Sequence, residues 1–383
     1  GDELSVVTKF SGKDVQDTAL SISVDNYAIN DGNNGNNYSI ELKTGSGKIE
    51  PKAISVEYAT ANDKTYDGTP DATISNYVLE GVLTADKDNV SVAGSASFVD
   101  KNVGEGKAVN ITGLALSGDE ARNYKLSSDS ITTTANIWQR EISASATANN
   151  KIYDGSPDAT ISSYDLEGVL TADKEKVSVA GSASFVDKNA GEGKTVNVTG
   201  LALSGTEKDN YKLSSNAITT TATISPATLI LRAENYNKAY DGTPSTENKY
   251  SQVGLVEGDE LSVVTKFSGK DVQDTALSIS VDNYAINDGN NGNNYSIELK
   301  TGSGKIEPKA ISVEYATAND KTYDGTPDAT ISNYVLEGVL TADKDNVSVA
   351  GSASFVDKNV GEGKAVNITG LALSGDEARN YKL

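Results

Sequence analysis

The sequence predicts an all-β protein, organised as a tandem array of small antiparallel β-sandwiches. Three features support this prediction: a repeat of fixed length, an apolar pattern with a period of two, and the lack of strong helix signals. Residues 1–126 recur without a mismatch as residues 258–383. Inside this block, a Tyr-Asp-Gly string and an Asn-Tyr string each return about every 86 residues. The chain is therefore a succession of similar modules.

Prolines mark the borders of these modules. Three of the seven prolines end an Ile-x-Pro junction before an apolar strand pattern, and the other four follow a Tyr-Asp-Gly string. Proline has a fixed φ and no N–H donor, so it suits strand starts and turns. No Gly/Ser-rich linker lies at the borders, and we therefore expect an extended, semi-rigid rod. The predicted boundaries give modules 52–139, 140–226 and 227–308, a partial module 1–51, and a module 309–383 that lacks its last strand.

Alternating apolar residues predict about five to seven short strands in each module. In one strand, Val92 and Phe98 share a face. In a later strand the alternation changes phase at a glycine, where we expect a β-bulge that keeps the apolar set inward. Residues 83–87 suit a single helical turn with Thr84 as its cap. The pattern favours an Ig-like sandwich, with a β-grasp arrangement of a sheet on a short helix as the alternative. The predicted bulge glycines are Gly113, Gly200 and Gly370.

Composition excludes several classes of function. The chain has 54 acidic and 33 basic residues, a net charge of −21, and neither His, Cys nor Met. Without His and Cys it can form no Ser-His-Asp or Cys-His triad, no zinc site of the usual ligands and no disulfide. The negative charge repels nucleic acid, and no apolar run reaches the roughly 18 residues of a membrane span. We expect no catalytic residues and no enzymatic activity and, since Met is absent, a segment of a longer or processed chain.

Several spaced strings carry a resemblance to known families. Residues 64–69 (Lys-Thr-Tyr-Asp-Gly-Thr), 96–104 (Ala-Ser-Phe-Val-Asp-Lys-Asn-Val-Gly), 113–118 (Gly-Leu-Ala-Leu-Ser-Gly) and 123–126 (Asn-Tyr-Lys-Leu) together resemble the YDG domain. Module 227–308, which ends in Gly-Lys-Ile-Glu-Pro, resembles the MBG domain, and 1–51 resembles its C-terminal part. The resemblance implies a secreted protein of the bacterial cell surface, similar to filamentous-haemagglutinin-like adhesins, in which such repeats act as stalks.

The Tyr-Asp-Gly strings have two interpretations. In a ligand site, the tyrosine would offer its face to a sugar and the aspartate would bind the sugar hydroxyls. In a structural turn, the tyrosine would pack on the sheet and the aspartate would accept backbone N–H bonds. The string recurs at the same position of the repeat, which favours the structural turn. For the tyrosines of the Asn-Tyr strings, we expect the hydroxyl to hold a neighbouring segment in place. The turn residues are Tyr66, Asp67, Gly68, Tyr153, Asp154, Gly155, Tyr240, Asp241, Gly242, Tyr323, Asp324 and Gly325.

Two further patterns are compatible with special chemistry. A loop of sequence Asp-Gly-Asn-Asn-Gly-Asn-Asn offers oxygen ligands to calcium, although Asn and Gly also dominate plain turns. The lysines that occupy the same position in successive repeats could form intramolecular amides with Asn or Asp side chains. The sequence favours the alternative, that they are ordinary exposed lysines. No other cofactor is expected. The weak calcium candidates are Asp31, Asn33, Asp288 and Asn290, and the lysines are Lys64, Lys151, Lys238 and Lys321.

These observations favour a non-enzymatic stalk segment of a giant secreted adhesin, which projects a distal binding region from the bacterial surface. The partners of each module would be the neighbouring repeats of the same chain. The first alternative is an extracellular fibre or biofilm-matrix filament in which identical chains associate through edge strands. The second is a module that binds a host protein or a glycan, for which 227–308 is the candidate.

Overall fold

Strands form nearly all of the regular structure, which confirms the all-β prediction. The computed structural model describes all 383 residues, and its helical segments are six 3₁₀ turns of at most six residues. The β-grasp alternative is therefore wrong, because it requires a helix that packs on a sheet. The turn predicted at 83–87 exists, but no side chain caps it, so the prediction of Thr84 as its cap is wrong. The 3₁₀ segments are Thr84–Asn89, Ala121–Asn123, Thr171–Lys176, Lys208–Asn210, Thr341–Asn346 and Ala378–Asn380.

The strands are numbered along the chain. The first seventeen are β1 (Glu3–Phe10), β2 (Leu20–Asn30), β3 (Gly45–Gly47), β4 (Lys52–Ala61), β5 (Lys64–Thr65), β6 (Ile74–Glu80), β7 (Ser91–Phe98), β8 (Gly104–Ser117), β9 (Tyr124–Leu126), β10 (Ser130–Trp138), β11 (Arg140–Ala148), β12 (Lys151–Ile152), β13 (Ile161–Glu167), β14 (Ser178–Phe185), β15 (Gly191–Ser204), β16 (Tyr211–Leu213) and β17 (Ala217–Ser225). The others are β18 (Ala227–Ala233), β19 (Lys238–Ala239), β20 (Tyr250–Val253), β21 (Glu260–Phe267), β22 (Leu277–Asn287), β23 (Tyr295–Lys300), β24 (Gly302–Gly304), β25 (Ile306–Glu307), β26 (Lys309–Ala310), β27 (Ser312–Ala318), β28 (Asp328–Ala329), β29 (Ile331–Glu337), β30 (Ser348–Phe355), β31 (Val366–Ser374) and β32 (Tyr381–Lys382).

Residue contacts group the chain into two compact units. The first comprises Gly1–Ala146, Ser163–Ser182 and Val198–Ile218, and the second comprises Thr147–Ser162, Ala183–Asn197 and Thr219–Leu383. Each unit is described by itself below. The module boundaries inferred from the repeat stay predictions, and the module ranges serve as names for segments of the chain.

In the first unit, module 52–139 is a sandwich of two sheets. One sheet has the strand order β6-β4-β9 and the other β5-β10-β8-β7. The core between them buries Phe98, Ile111 and Ile137, and Thr133 Oγ1 donates to the carbonyl oxygen of Ala59 at 2.7 Å, from one sheet to the other. Most neighbouring strands are antiparallel. The exceptions are two short parallel pairs, β4 with β9 and β5 with β10, which the prediction of an antiparallel sandwich did not include.

The apolar pattern of β8 changes phase at Gly113. Ile111 before this glycine and Leu114 after it are both buried in the same sandwich. Gly113 has a φ of +65°, and the register of β8 against β7 shifts between Ala93 and Ser95. The extra residue on β8 lets side chains of opposite parity reach one core. Gly200 and Gly370 have φ values of +65° and +62° at the corresponding positions.

In the second unit, module 227–308 has sheets of order β20-β18-β23 and β21-β22-β24, with the short pair β19-β25. Its core buries Leu229, Leu231, Phe267 and Ile279. Alternate residues of β18 point into this core, as expected for a strand with a period of two. Module 309–383 contains the sheets β28-β30-β31, β27-β29 and β26-β32.

Candidate functional site

Each Tyr-Asp-Gly string forms a tight turn that an ion pair closes. In the first copy, Asp67 Oδ1 accepts hydrogen bonds from Thr69 N and Thr69 Oγ1, both at 2.9 Å, and Gly68 has a φ of +81°. Lys64 Nζ donates to Asp67 Oδ1 and to the carbonyl oxygens of Thr69 and Asp71, each at 2.8 Å. Burial acts to raise the pKa of Asp67, but the bonds from Lys64 and Thr69 outweigh it and leave the pKa lowered. The same turn recurs at Asp154, Asp241 and Asp324.

The lysines that recur at the same position of each repeat therefore close the Tyr-Asp-Gly turns. An ammonium group has three N–H donors and no acceptor, and here its donors are taken up by the carboxylate and carbonyl oxygens of the turn. This geometry favours an ion pair over an intramolecular amide. Lys151, Lys238 and Lys321 pair in the same way with the aspartates of their own strings.

The tyrosine of the string reaches past its own turn into the following module. Tyr66 OH donates to Asp173 Oδ2 at 2.9 Å, and Tyr211 OH donates to the same oxygen at 2.8 Å. The two rings meet edge to face, with centroids 5.4 Å apart. All three side chains are buried. We call such a triad, made of a Tyr-Asp-Gly tyrosine, an aspartate of the following module and its Asn-Tyr tyrosine, a junction lock.

Two further junction locks lie in the second unit. In each, both hydroxyls donate to one carboxylate oxygen, over distances of 2.5 to 3.0 Å. Both tyrosine pairs also meet edge to face, with centroids 5.6 and 5.5 Å apart. The members are Tyr153, Asp259 and Tyr295 in one lock, and Tyr240, Asp343 and Tyr381 in the other.

In four of the five Asn-Tyr strings, the asparagine reaches back to the preceding module. Asn210 Oδ1 accepts from Val103 N at 2.9 Å, and Asn210 Nδ2 donates to Glu207 Oε2 at 2.8 Å and to Asn102 Oδ1 at 3.2 Å. We call this arrangement the asparagine clasp. It recurs with Asn123 on Val15 N, Asn294 on Ala190 N and Asn380 on Val272 N, over distances of 2.7 to 2.8 Å.

Two lysines bring positive charge to the first lock, and Lys176 Nζ lies 3.7 Å from Asp173 Oδ1. Lys101 Nζ donates to Tyr66 OH at 2.9 Å and to Glu207 Oε2 at 3.1 Å, and it lies 3.9 Å from Asp173. These bonds raise the pKa of Lys101. Burial acts to raise the pKa of Asp173, but hydrogen bonds from Tyr211 and Tyr66 outweigh it and leave the pKa lowered. The lock thus pairs protonated phenols and an ammonium with an ionised carboxylate, an arrangement suited to holding two modules together.

Three segments of the chain match the family model of the YDG domain, namely residues 50–133, 139–221 and 307–383. Together they cover more than half of the chain. The chain belongs to the YDG domain family. The Tyr-Asp-Gly string that the family name abbreviates supplies the tyrosine of a junction lock in two of these three YDG domains. Residues 227–308 lie outside the matches, and their assignment to the MBG family stays a prediction.

The YDG array also has distant structural neighbours. It is similar to N-cadherin EC1-4 of Drosophila, with 8% identity, a TM-score of 0.19 and coverage of 76% of this chain and 83% of that one. Protocadherin gammaB7 EC3-6 gives 11% identity, a TM-score of 0.21 and coverage of 82% and 91%. Zebrafish RET cadherin-like domains 1 to 4 give 7% identity, a TM-score of 0.17 and coverage of 77% and 83%. No curated protein sequence matches the chain.

The loops proposed for calcium are closed by their own backbone. Asp288 Oδ1 accepts from Asn290 N at 2.7 Å and from Gly292 N at 2.9 Å, and its Oδ2 accepts from Asn294 N at 3.2 Å. Asp31 makes the corresponding bonds to Asn33 N and Gly35 N, both at 2.8 Å. No group of three or more acidic side chains is arranged to hold a metal ion. The geometry therefore favours a turn, and in the second copy this turn presents Asn294 to its clasp. None of the helical segments is long and apolar enough to cross a membrane.

Sequence reasoning missed the partners of the tyrosines. It placed Tyr66 on its own sheet, whereas the structure buries it against a carboxylate of the following YDG domain. Asp173, Lys101 and Asn210 were not singled out. A signal for them exists, because a Leu-Thr-Ala-Asp string and a Lys-Asn dipeptide also recur at fixed phase in the YDG domains.

Removing one lock hydroxyl tests the role of the tyrosine. We expect Tyr240→Phe to lower the free energy of unfolding by about 1–2 kcal/mol, because the buried carboxyl group of Asp343 loses a hydrogen-bond donor. Tyr323 is the matched control, since it belongs to the same string but is 57% exposed, against 2% for Tyr240. Calorimetry of both variants should show a lowered transition for Tyr240→Phe alone. Equal shifts would contradict the lock.

Acid is expected to weaken the first lock. The pKa of Asp173 is lowered in the folded chain, so the lock is fully effective above the ordinary carboxyl pKa and is lost as the pH falls through the lowered one. We expect the stability difference between wild type and Asp173→Asn to shrink below about pH 4. Thermal unfolding of both proteins across the pH range measures this. A difference that stays constant down to the acid limit would show that Asp173 is not ionised in the lock.

Proposed function

We propose that this YDG array is a non-enzymatic stalk segment of a large secreted bacterial surface adhesin, and that it projects a distal binding region from the cell. The observation that carries the proposal is the junction lock. The same three side-chain types recur at each lock and join consecutive modules inside a compact unit. In this proposal the array is extracellular, filamentous-haemagglutinin-like in context, and interspersed with an MBG-type module.

The burial of the lock residues favours mechanics over recognition. A sugar site needs an accessible aromatic face and free polar groups. Tyr66, Tyr153 and Tyr240 are buried, and their hydroxyls are already bonded to carboxylates. The aspartates of the same strings are committed to the turns. The side chains that recur with the repeat are therefore unsuited to a free ligand, and we propose that they keep modules in fixed register.

Apolar contacts at the locks add to the polar ones. A Cβ on Gly68 would lie 3.1 Å from Leu170 Cδ1, and one on Gly242 would lie 3.2 Å from Leu340 Cδ1, so these leucines lie directly against the preceding turn. A joint that combines buried hydrogen bonds with packed leucine resists bending better than a flexible linker does. We propose that the joints make the array semi-rigid, and that its negative charge of −21 discourages lateral association.

Solution scattering and electron microscopy test this function. We expect thin, unpaired rods, and a triple variant Tyr66→Phe, Tyr153→Phe, Tyr240→Phe that bends more at the joints while its modules stay folded. Tyr323→Phe is the control and should leave the scattering curve unchanged. Ordered assembly at modest concentration would instead support the fibre. Glycan binding that disappears on deletion of 227–308, but not of 140–226, would support the binding module and contradict a passive stalk.

A further inference from the structure

The junction locks at Asp173 and Asp343 have nearly the same geometry. In both, two tyrosine hydroxyls donate to one carboxylate oxygen, and the ring centroids lie 5.4 and 5.5 Å apart. An equivalent leucine, Leu170 in one and Leu340 in the other, lies against the Tyr-Asp-Gly turn of the preceding module. Because these contacts are matched, the two joints differ mainly in the charges around them.

At the first joint, the preceding module brings one positive charge to the following domain. Lys101 Nζ lies 3.1 Å from Glu207 Oε2 and 3.9 Å from Asp173 Oδ1. The next residue, Asn102, is uncharged, and its Oδ1 accepts from Asn210 Nδ2 at 3.2 Å. Opposite charges at these distances attract. The electrostatic interaction across this joint therefore holds the two modules together.

At the joint that follows module 227–308, an aspartate takes the place of Asn102. Asp271 Oδ1 accepts from Asn380 Nδ2 at 3.1 Å, and Glu377 Oε2 accepts from the same nitrogen at 2.6 Å. One amide group of the asparagine clasp thus holds two carboxylates, one from each module. Like charges so close together repel each other. The clasp keeps its hydrogen bonds, but it now joins two groups that oppose the contact.

The lysine at this joint does not compensate for the added carboxylate. Lys270 Nζ lies 3.5 Å from Asp271 of its own module and 3.8 Å from Glu377 of the next, and no lysine forms an ion pair with Asp343. Burial, the bond to Asp343 and the charges of Asp343, Glu377 and Asp271 raise the pKa of Tyr240, so these charges act on the lock. The attraction of Lys270 for the following domain is therefore offset by the repulsion from Asp271.

We propose that the joint between module 227–308 and the YDG domain after it is a hinge, more flexible than the joints at Asp173 and Asp259, and that the carboxylate of Asp271 creates this hinge. The joint at Asp259 resembles the first one. Lys188 lies 3.6 Å from Asp259, and the uncharged Asn189 accepts from the clasp amide at 3.3 Å. This inference goes beyond the stalk function and does not depend on it.

The aspartate recurs with the longer period of the repeat. Asp14 and Glu120 accept from the single amide nitrogen of Asn123 at 3.0 and 2.6 Å, as Asp271 and Glu377 do at the hinge. The exchange of asparagine for aspartate therefore occurs where a YDG domain follows residues 1–51 or 227–308. We infer that the array places its hinges once in each block of three modules.

Exchange of the two equivalent residues tests the proposal. Asp271→Asn and Asn102→Asp are matched, since each keeps the oxygen that accepts from the clasp amide and changes one charge. The chain has no cysteine, so introduced cysteine pairs can carry spin labels on the two sides of a joint. Exposed serines suit the labels, as Ser95→Cys with Ser182→Cys for the first joint and Ser262→Cys with Ser352→Cys for the hinge.

Pulsed electron paramagnetic resonance gives the width of the distance distribution at each joint. We expect Asp271→Asn to narrow the distribution across the hinge by about 1.5-fold, and Asn102→Asp to broaden that across the first joint by a similar factor, because each variant adds or removes an attraction between modules. Circular dichroism checks that both variants remain folded. Unchanged widths in both variants would overturn the proposal.

Salt separates the charge of Asp271 from its shape. Both effects should shrink when NaCl is raised from about 0.01 M to about 1 M, since the Debye length falls from about 30 Å to about 3 Å. Effects of equal size at both concentrations would show a steric role and would overturn the proposal. Narrow distributions at both joints in all variants would contradict the hinge alone, whereas broad ones everywhere would also contradict the semi-rigid joints of the proposed stalk.

Discussion

Replacement of Asp173 by alanine is expected to lower the free energy of unfolding by about 3–5 kcal/mol. The carboxylate is buried and accepts bonds from Tyr66 and Tyr211 through a single oxygen. Its loss leaves two buried hydroxyls without their acceptor and removes a counter-charge of Lys101. Because Tyr66 and Asp173 lie in different modules, the change should affect the coupling of two sandwiches as well as the stability of one.

Asp86→Ala is the matched control for this substitution. Asp86 occupies the same place in its own YDG domain, but it accepts one phenolic bond, from Tyr124, and no tyrosine of a preceding string. We expect Asp86→Ala to lower the free energy of unfolding by about 1 kcal/mol. Calorimetry of the full chain should resolve the transitions, since an array need not unfold in a single step. Equal losses for the two variants would show that Asp173 acts within its own domain and not as a joint.

Gly205→Ala is expected to destabilise the same junction by about 3 kcal/mol. Gly205 has a φ of +104°, and an added Cβ would overlap the carbonyl oxygen of Lys176. That oxygen also accepts from Glu207 N at 3.3 Å, a bond that positions the loop carrying Asn210. The substitution should therefore strain the backbone and displace the asparagine clasp together.

Gly200→Ala separates backbone strain from steric overlap. Gly200 has a φ of +65°, but nothing lies within 4 Å of the Cβ position. Only the cost of holding alanine at a positive φ remains, and we expect the free energy of unfolding to fall by about 1 kcal/mol. Urea unfolding of the two variants, monitored by tyrosine fluorescence, gives the comparison. If Gly200→Ala were the more damaging change, the bulge rather than the junction loop would be the sensitive point.

The repeat made much of the fold predictable. Tandem copies act as internal comparisons, so the phase of Tyr66 and its equivalents was visible from the chain alone. Alternation with a period of two indicated the strands, and the change of parity around Gly113 indicated where one strand accommodates an extra residue. Both are local properties of the chain, because side chains of a strand alternate between its faces wherever the strand lies.

The junction locks could not be predicted from the sequence alone. Tyr66 and Asp173 are 107 residues apart, and Val103 and Asn210 are also 107 apart. Which carboxylate a tyrosine reaches depends on how two folded modules dock, and many acidic residues were equally plausible partners. The same is true of the asparagine in the Asn-Tyr string, whose amide holds the preceding module, whereas the sequence pattern assigns the structural role to the tyrosine beside it.

Residues 38–43 and 295–300 have the same sequence but differ in secondary structure, and they separate what the sequence determines from what the tertiary structure decides. Their common sequence determined the alternation of apolar and polar side chains, and with it the capacity to form a strand. The tertiary structure decided whether the strand forms, because backbone N–H and C=O groups complete a sheet only when another strand lies alongside. β18 supplies that neighbour to Tyr295–Lys300, whereas these 383 residues contain no counterpart of β18 for residues 38–43, which form no strand.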